Sequence, residues 1–384
     1  MATVSQSSFT APFKAVVGLL IISSEFPPNV GGIGNHAYNL AKALTEQGFV
    51  VEVVADIIEV DDKELEIFAS KQGFKIHWIR RREFVLETYL ARILKAVSLA
   101  GKFEKVICSG KFSLWMAVLL RMRYPNKELI AVVHGTELDL KLKTAKSVTS
   151  YSLRKFNKII SVSNYTQQFL PKSLPSGILQ FVIPNGINGS EFIIDAVSAL
   201  PGVPALITVG NVTERKGQEN VIAALPQILG RYPAARYHIV GKPTSKERIE
   251  IKAKELAVGN SIQFYGAVSR DELLQKLKAA SIKLMLSNHT AAGDFEGFGI
   301  AVLEANAFGV PAIGSRDSGI ADAIEHGETG VLVNQHNPEE VAGAVETILN
   351  NYSCFSNNAK EWARQHDWKI IVKKYVEVLN APTL

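Results

Sequence analysis

The chain has 384 residues, 47% of them hydrophobic and 21% charged, with no low-complexity tract. This composition excludes an intrinsically disordered protein, and the length exceeds one ordinary core, so two domains are expected. The net charge of +5 is held unevenly: residues 1–190 carry 23 Lys and Arg against 15 Asp and Glu, whereas residues 191–384 carry 19 against 22. A basic first half suits an anionic acceptor or the negative surface of a membrane, and equally a solvated face without a partner. No nucleic-acid partner is expected.

The apolar run at residues 15–22 is short, rich in β-branched residues and followed by Ser-Ser-Glu rather than a small-residue cleavage site. It reads as a buried first strand and not as a signal peptide. No segment reaches the roughly 20 apolar residues that span a bilayer, and a cytoplasmic location is expected. From there β-branched runs alternate with helix-length amphipathic stretches. The runs are KAVVGLLIIS, VVEVVAD, KIHWIR, KVICSG, LIAVVHG, KIISVS and QFVIP, then ALITVG, ARYHIVG, SIQFYG, IKLMLS, PAIGS and GVLV. Such alternation means parallel sheets with crossover helices. Turn-rich sequence at residues 185–204 marks a domain boundary near 190–203, and residues 357–379 close the chain as one or two amphipathic helices. Cys108 and Cys354 are far apart, with no thiol or histidine at ligand spacing, and are expected to be plain buried thiols.

Two doubly wound domains facing one another direct the carboxyl ends of their strands into a shared cleft, where ligands of open α/β sheets bind. Gly31, Gly32 and Gly34 follow the first strand and precede a helix, where the backbone turns tightly and free N–H groups favour an anion. Their G-G-x-G spacing departs from the dinucleotide fingerprint. His134 ends a strand, where its imidazole can donate to a sugar hydroxyl or a phosphate oxygen; taken alone, a structural histidine fits as well. Ser163 suits the N-cap of a following helix. Arg215 and Lys216 stand where a helix is entered near Gln218, a place for cations that neutralise a departing diphosphate. Glu296 lies on the loop before a helix that starts near Gly299 and stops at Gly309, and Glu304 sits about one and a half turns into it. N–H groups around residues 297–299 can hold phosphate while the two acids accept hydrogen bonds from hydroxyls on either side, which describes a nucleotide sugar.

The Gly31-Gly32-Ile33-Gly34 loop, HGTE, PNGIN, the VG…KG segment, EGFGIAVLEA with GVP, and GETGVLV together resemble the retaining glycosyltransferases of family 4, over nearly the whole chain. The most specific element is E-x7-E, from Glu296 to Glu304. The resemblance implies an α/β GT-B fold of two facing Rossmann-like, doubly wound parallel-sheet domains. Residues 1–195 would bind the acceptor, residues 196–360 the nucleotide-sugar donor, and a helix in 361–384 would cross back to the first domain.

By motif position the resemblance implies that Glu304 holds the nucleoside ribose and that Glu296 stands beside the donor sugar. Phe298, Gly299 and Ile300 would contact the sugar and phosphates through the backbone. Lys216 would meet the diphosphate, His134 the outer hydroxyls of the donor sugar, and Gly32 the donor phosphate. His134, Glu296 and Lys216 form the implied catalytic set. One departure is Asn211, where the family usually has Arg; Arg215 is expected to supply that charge. The family implies hexosyl transfer with retention, no metal and no cofactor beyond the donor. The sequence offers no D-x-D cluster in a suitable loop, in keeping with the absence of a metal, and no evident carboxylate nucleophile, in keeping with the same-face ion-pair mechanism that the resemblance implies.

GDFEGFGIAVLEANAFG resembles the mannosyl-transferring branch of the family, which makes GDP-mannose the favoured donor, with UDP-glucose and UDP-GlcNAc compatible. The acceptor is expected to be a glycan or lipid-linked molecule, with the protein peripherally attached to the inner membrane face through its basic half. Competing readings are a 2-epimerase or phosphorylase of the same fold, and a nucleotide-sugar-binding protein without transferase activity. A nicotinamide dehydrogenase would need Asp56 to meet ribose.

Overall fold

The computed structural model describes residues 17–29, 31–58, 60–81 and 83–383. Seven strands, β1 (Gly18–Ser23), β2 (Val50–Ile57), β3 (Lys75–Arg80), β4 (Lys105–Ser109), β5 (Glu128–Val133), β6 (Lys158–Ser161) and β7 (Leu179–Val182), form one sheet in the order β3-β2-β1-β4-β5-β6-β7. Six more, β8 (Ala205–Val209), β9 (Arg236–Val240), β10 (Ile262–Gly266), β11 (Ile282–Met285), β12 (Ala312–Ser315) and β13 (Gly330–Val333), form a second sheet in the order β10-β9-β8-β11-β12-β13. Every strand pairing in both sheets is parallel.

Each strand falls on one of the expected β-branched runs, with Ile57, Glu128 and Leu179 lying one residue beyond theirs in β2, β5 and β7; residues 14–16 of the first run lie outside the described residues. The reason is physical. Strands such as GLLIIS, ELIAVV and IKLM are covered by helices on both faces, so nearly every position is buried and the run is continuously apolar. In each sheet the strand order reverses beside the first strand, between β1 and β4 and between β8 and β11. Those switch points open a crevice at the carboxyl ends of the strands.

The two sheets share a core. One buried cluster joins Ile183 and Ile187 to Phe298, Val302 and Leu303, and to Trp368, Ile371 and Tyr375. The last helix, Trp368–Asn380, packs on the helix Gly32–Glu46 of the first domain. Its return is fixed by backbone bonds from Ile187 N–H to His366 O (2.9 Å) and from Trp368 N–H to Ile187 O (3.0 Å). Of the two cysteines, Cys108 is buried as expected. Cys354 is exposed, because it falls on the outer side of the helix Tyr352–Gln365. Among the described residues no helix is long and apolar enough to cross a membrane.

Candidate functional site

The facing strand ends enclose a cleft of about 390 Å³. It brings together Gly32, His134, Arg215, Glu296, Phe298, Gly299 and Ile300, all singled out from the sequence. Lys216 joins them through Glu296, to which its Nζ donates at 2.8 Å. Glu304 stands outside this lining. Its carboxylate accepts from Arg270 Nη1 at 2.8 Å, and the other arm of Arg270 reaches Glu191 at 3.0 Å.

Local sequence explains how the cations reach Glu296. A short 3-10 turn, Glu214–Lys216, ends at Gly217 in the left-handed region (φ +68°), which starts the helix Gln218–Arg231. Asn288, after β11, ties this turn down: its N–H donates to Arg215 O (2.8 Å) and its amide to Glu214 O (2.9 Å). Arg215 Nη1 and Lys216 Nζ then converge on the same oxygen of Glu296. Burial works against ionisation of this carboxyl. The charges and hydrogen bonds of Lys216 and Arg215 outweigh it and hold Glu296 below the usual carboxylate range.

The loop carrying Glu296 is fastened to the other domain. Ser163 Oγ donates to Gly297 O at 2.6 Å, and Thr166 Oγ1 does so at 3.2 Å. A Cβ at Gly297 would collide with the His134 carbonyl oxygen, so only glycine allows this approach. Gly299, at φ +93°, turns the chain into the helix Ile300–Ala307. Nearby, Asp322 accepts from Asn164 N–H (2.9 Å), Asn164 Nδ2 (2.6 Å) and Tyr165 N–H (3.3 Å) across the cleft.

His134 Nε2 is 2.9 Å from Ser109 Oγ, and its backbone N–H donates to Glu137 Oε1 at 2.6 Å. Burial pushes the imidazole down to about 4, so it is neutral at physiological pH. His36 packs edge-on against it, ring centres 4.9 Å apart, and hydrogen-bonds Tyr375 of the last helix at 2.9 Å. Glu25 and Asn185 also line the cleft. Burial raises the Glu25 carboxyl, and a bond from the Gly34 backbone partly offsets this. The Asn185 side-chain oxygen is buried without a partner among the described residues.

Sequence reasoning missed Ser109, Glu25, Asn185, Arg270 and Asp322. Ser109 is the last residue of β4 and Glu25 follows β1, and reading every strand end would have found them. Arg270 carried no signal, since its partners are 34 and 79 positions away. Asn211 accepts from Lys242 N–H at 3.3 Å and supplies no charge to the cleft. Asp56 is buried against Arg92, which donates to it at 2.6 Å, so it is not available to a ribose and the dehydrogenase reading fails. Among the described residues no group of three or more His, Cys, Asp or Glu could hold a metal ion.

Residues 30–191 match the family described as Glycosyltransferase Family 4, and residues 191–366 match Glycosyl transferases group 1. Two parallel-sheet α/β domains with these matches make the chain a glycosyltransferase of the GT-B fold. It is similar to a GDP-mannose-dependent alpha-(1-6)-phosphatidylinositol monomannoside mannosyltransferase of Mycobacterium tuberculosis, at 29% identity over 94% of this chain and 98% of that one. A glycogen synthase of the same organism is 24% identical over 94% of each chain. Among solved structures, sucrose-phosphate synthase from Thermosynechococcus elongatus superposes with a TM-score of 0.76 at 21% identity, over 94% of this chain and 98% of that one. HepE of Anabaena in complex with UDP-glucose gives 0.74 at 17% identity, over 94% and 99%.

Proposed function

We propose that the protein transfers a hexose from a nucleotide sugar with retention and without a metal, GDP-mannose being the favoured donor. The observation that carries this reading is the Glu296 carboxylate held by Lys216 and Arg215 in the cleft, beside the start of the helix Ile300–Ala307. Lys216, with Arg215 taking the place of a cation at Asn211, receives the diphosphate, and the backbone of Phe298, Gly299 and Ile300 completes its cradle. Gly32 leaves room for the phosphate from the other side. Glu304, oriented by Arg270, accepts from the ribose hydroxyls. Neutral His134 bonds the outer hydroxyls of the sugar. Glu296 is committed to two cations, so it orients the sugar rather than attacking it. The bond from C1 to the diphosphate oxygen breaks, the acceptor oxygen attacks from the same face, and its proton passes to the departing phosphate oxygen.

The donor preference is supported by the similarity to relatives named as GDP-mannose-dependent mannosyltransferases. A lipid-linked acceptor and peripheral attachment to an anionic membrane face are supported by one surface of the first domain. There the helices Val85–Ala100, Ala117–Arg123 and Lys143–Leu153 pack beside one another. They leave Phe84, Leu86, Leu94 and Met122 about 70% exposed, with Leu142 and Tyr151 also exposed and Lys141, Lys143 and Lys146 among them. The membrane face proposed is the inner, cytoplasmic one.

The test is transfer from GDP-mannose, UDP-glucose and UDP-GlcNAc to extracted membrane lipid, with the anomeric configuration of the product read by NMR and chelator added in parallel. A product with the donor's configuration, unaffected by chelator, is expected. Inversion or loss of activity with chelator refutes the reading.

A further inference from the structure

The side chains of two lysines, Lys158 and Lys283, are completely buried. Lys158 is satisfied: its Nζ donates to Glu128 (2.6 Å) and to the carbonyls of Val378 (2.7 Å) and Ala381 (2.6 Å), which fastens the end of the last helix. Among the described residues Lys283 Nζ has no hydrogen-bond partner. An amine buried in this way is expensive to keep charged, and the strand that carries it leads straight into the candidate site.

Its position follows from strand alternation. Ile282, Leu284 and Leu286 enter the core formed with the helix Gln218–Arg231, so Lys283 and Met285 face the other side. Met285 Sδ lies 3.5 Å from where a Cβ on Gly299 would stand. Lys283 is therefore on the sheet face covered by the helix Ile300–Ala307, beneath the cradle assigned to the donor.

Three charged side chains act on it from the elements packed there: Lys216 from the loop after β8, Glu296 from the loop before the helix, and Glu304 from the helix itself. Arg215 and Arg270 act through their pairs with Glu296 and Glu304. The flanking strands β8 (ALITV) and β12 (AIGS) add no titratable side chain. Burial, then Lys216, push the amine down to about 7 against the pull of the two glutamates.

We propose that Lys283 is a third cation of the donor site, charged on demand: an anionic nucleotide diphosphate entering the cleft draws a proton from solvent onto the buried amine, and the ammonium steadies it from beneath. The inference rests on the donor-site reading given above. In the empty cleft Glu296 already neutralises part of the Lys216 and Arg215 charge. A bound diphosphate adds about two negative charges. A charge within about 10 Å, at an effective dielectric near 20, raises an amine by roughly one pH unit. Binding should then take up about 0.7 proton at pH 7.5, starting from a half-titration point near 7.

The test is calorimetry of the full chain with GDP-mannose and UDP-glucose at pH 7.5, in phosphate, HEPES and Tris buffers. These differ in ionisation enthalpy, so the dependence of the measured heat on buffer counts protons. Wild type should take up roughly 0.7 proton per donor, Lys283→Met almost none, and the variant should bind about tenfold more weakly. A second measurement needs no variant: the wild-type donor Kd should be constant below pH 6.5 and rise by up to about tenfold per unit between pH 7 and 9. A flat profile, or equal proton uptake in Lys283→Met, overturns the inference and leaves the donor site standing. Absence of binding by any nucleotide sugar overturns both.

Discussion

Lys283→Met also tests the cost of the buried amine without any ligand. In the folded protein the amine is lowered from 10.5 to about 7, first by burial and then by Lys216. Between those values the unfolded chain holds a proton that the folded chain lacks, so unfolding takes up a proton and wild-type stability rises with pH. At ~1.4 kcal/mol per unit over some three units, the penalty is roughly 4 kcal/mol at pH 7 and below, and it fades by about pH 10.5. Methionine keeps the length of the side chain and removes the charge. The variant should therefore be ~2–4 kcal/mol more stable than wild type at pH 6–7, with the difference shrinking to within ~1 kcal/mol by pH 10. Urea denaturation of both proteins at one-unit steps from pH 6 to 10 reads this difference directly, and groups that titrate alike in both cancel. A difference that does not vary with pH, or a variant less stable at pH 6, would refute the reasoning.

Three further outcomes follow from the site. Arg215→Ala removes one of the two cations on Glu296 and should raise the donor KM about ten- to a hundredfold; an unchanged KM would mean that no cation is needed in place of Asn211. Glu304→Ala should cost at least about tenfold in nucleotide affinity, measured by calorimetry, and affinity equal to wild type would remove Glu304 from the ribose site. Reversing the charges of Lys141, Lys143 and Lys146 to Glu should abolish sedimentation with anionic vesicles while leaving the melting temperature within a few degrees, since all three are exposed. Retained sedimentation would count against membrane attachment through this face.

The architecture was legible because the strands are buried on both faces: a run such as LIAVVHG has few polar interruptions to confuse its period. The helix behind Glu296 could be read from its punctuation, Gly299 at the start and Gly309, at φ +78°, at the stop. Side-chain partnerships were not legible in the same way. Ser163 looks like an N-cap and is one, accepting from Thr166 N–H at 2.8 Å. Its hydroxyl hydrogen, however, goes to Gly297, 134 positions away, and nothing local encodes that. Lys283 shows the opposite failure. In sequence it is one polar residue in IKLMLS, indistinguishable from an edge position, and only its place inside the second sheet makes it a buried amine.

These partnerships also show why neither domain could build the site alone. The Glu296 carboxylate takes its cations from its own domain, but the peptide that follows it is held by Ser163 and Thr166 from the other. The same short helix, Asn164–Gln167, has its first N–H groups bonded by Asp322. Opening the cleft would break these bonds together, at about 1 kcal/mol each, so the closed arrangement is favoured by a few kcal/mol. On the far side the last helix reaches the same centre by another route: Tyr375 bonds His36, and His36 packs on His134. The histidine and the glutamate loop are thus each braced across the domain boundary, and a rotation of one domain would displace both at once. Donor entry and product release therefore have to work against the very contacts that align the cleft, which ties the exchange of ligands to the assembly of the site.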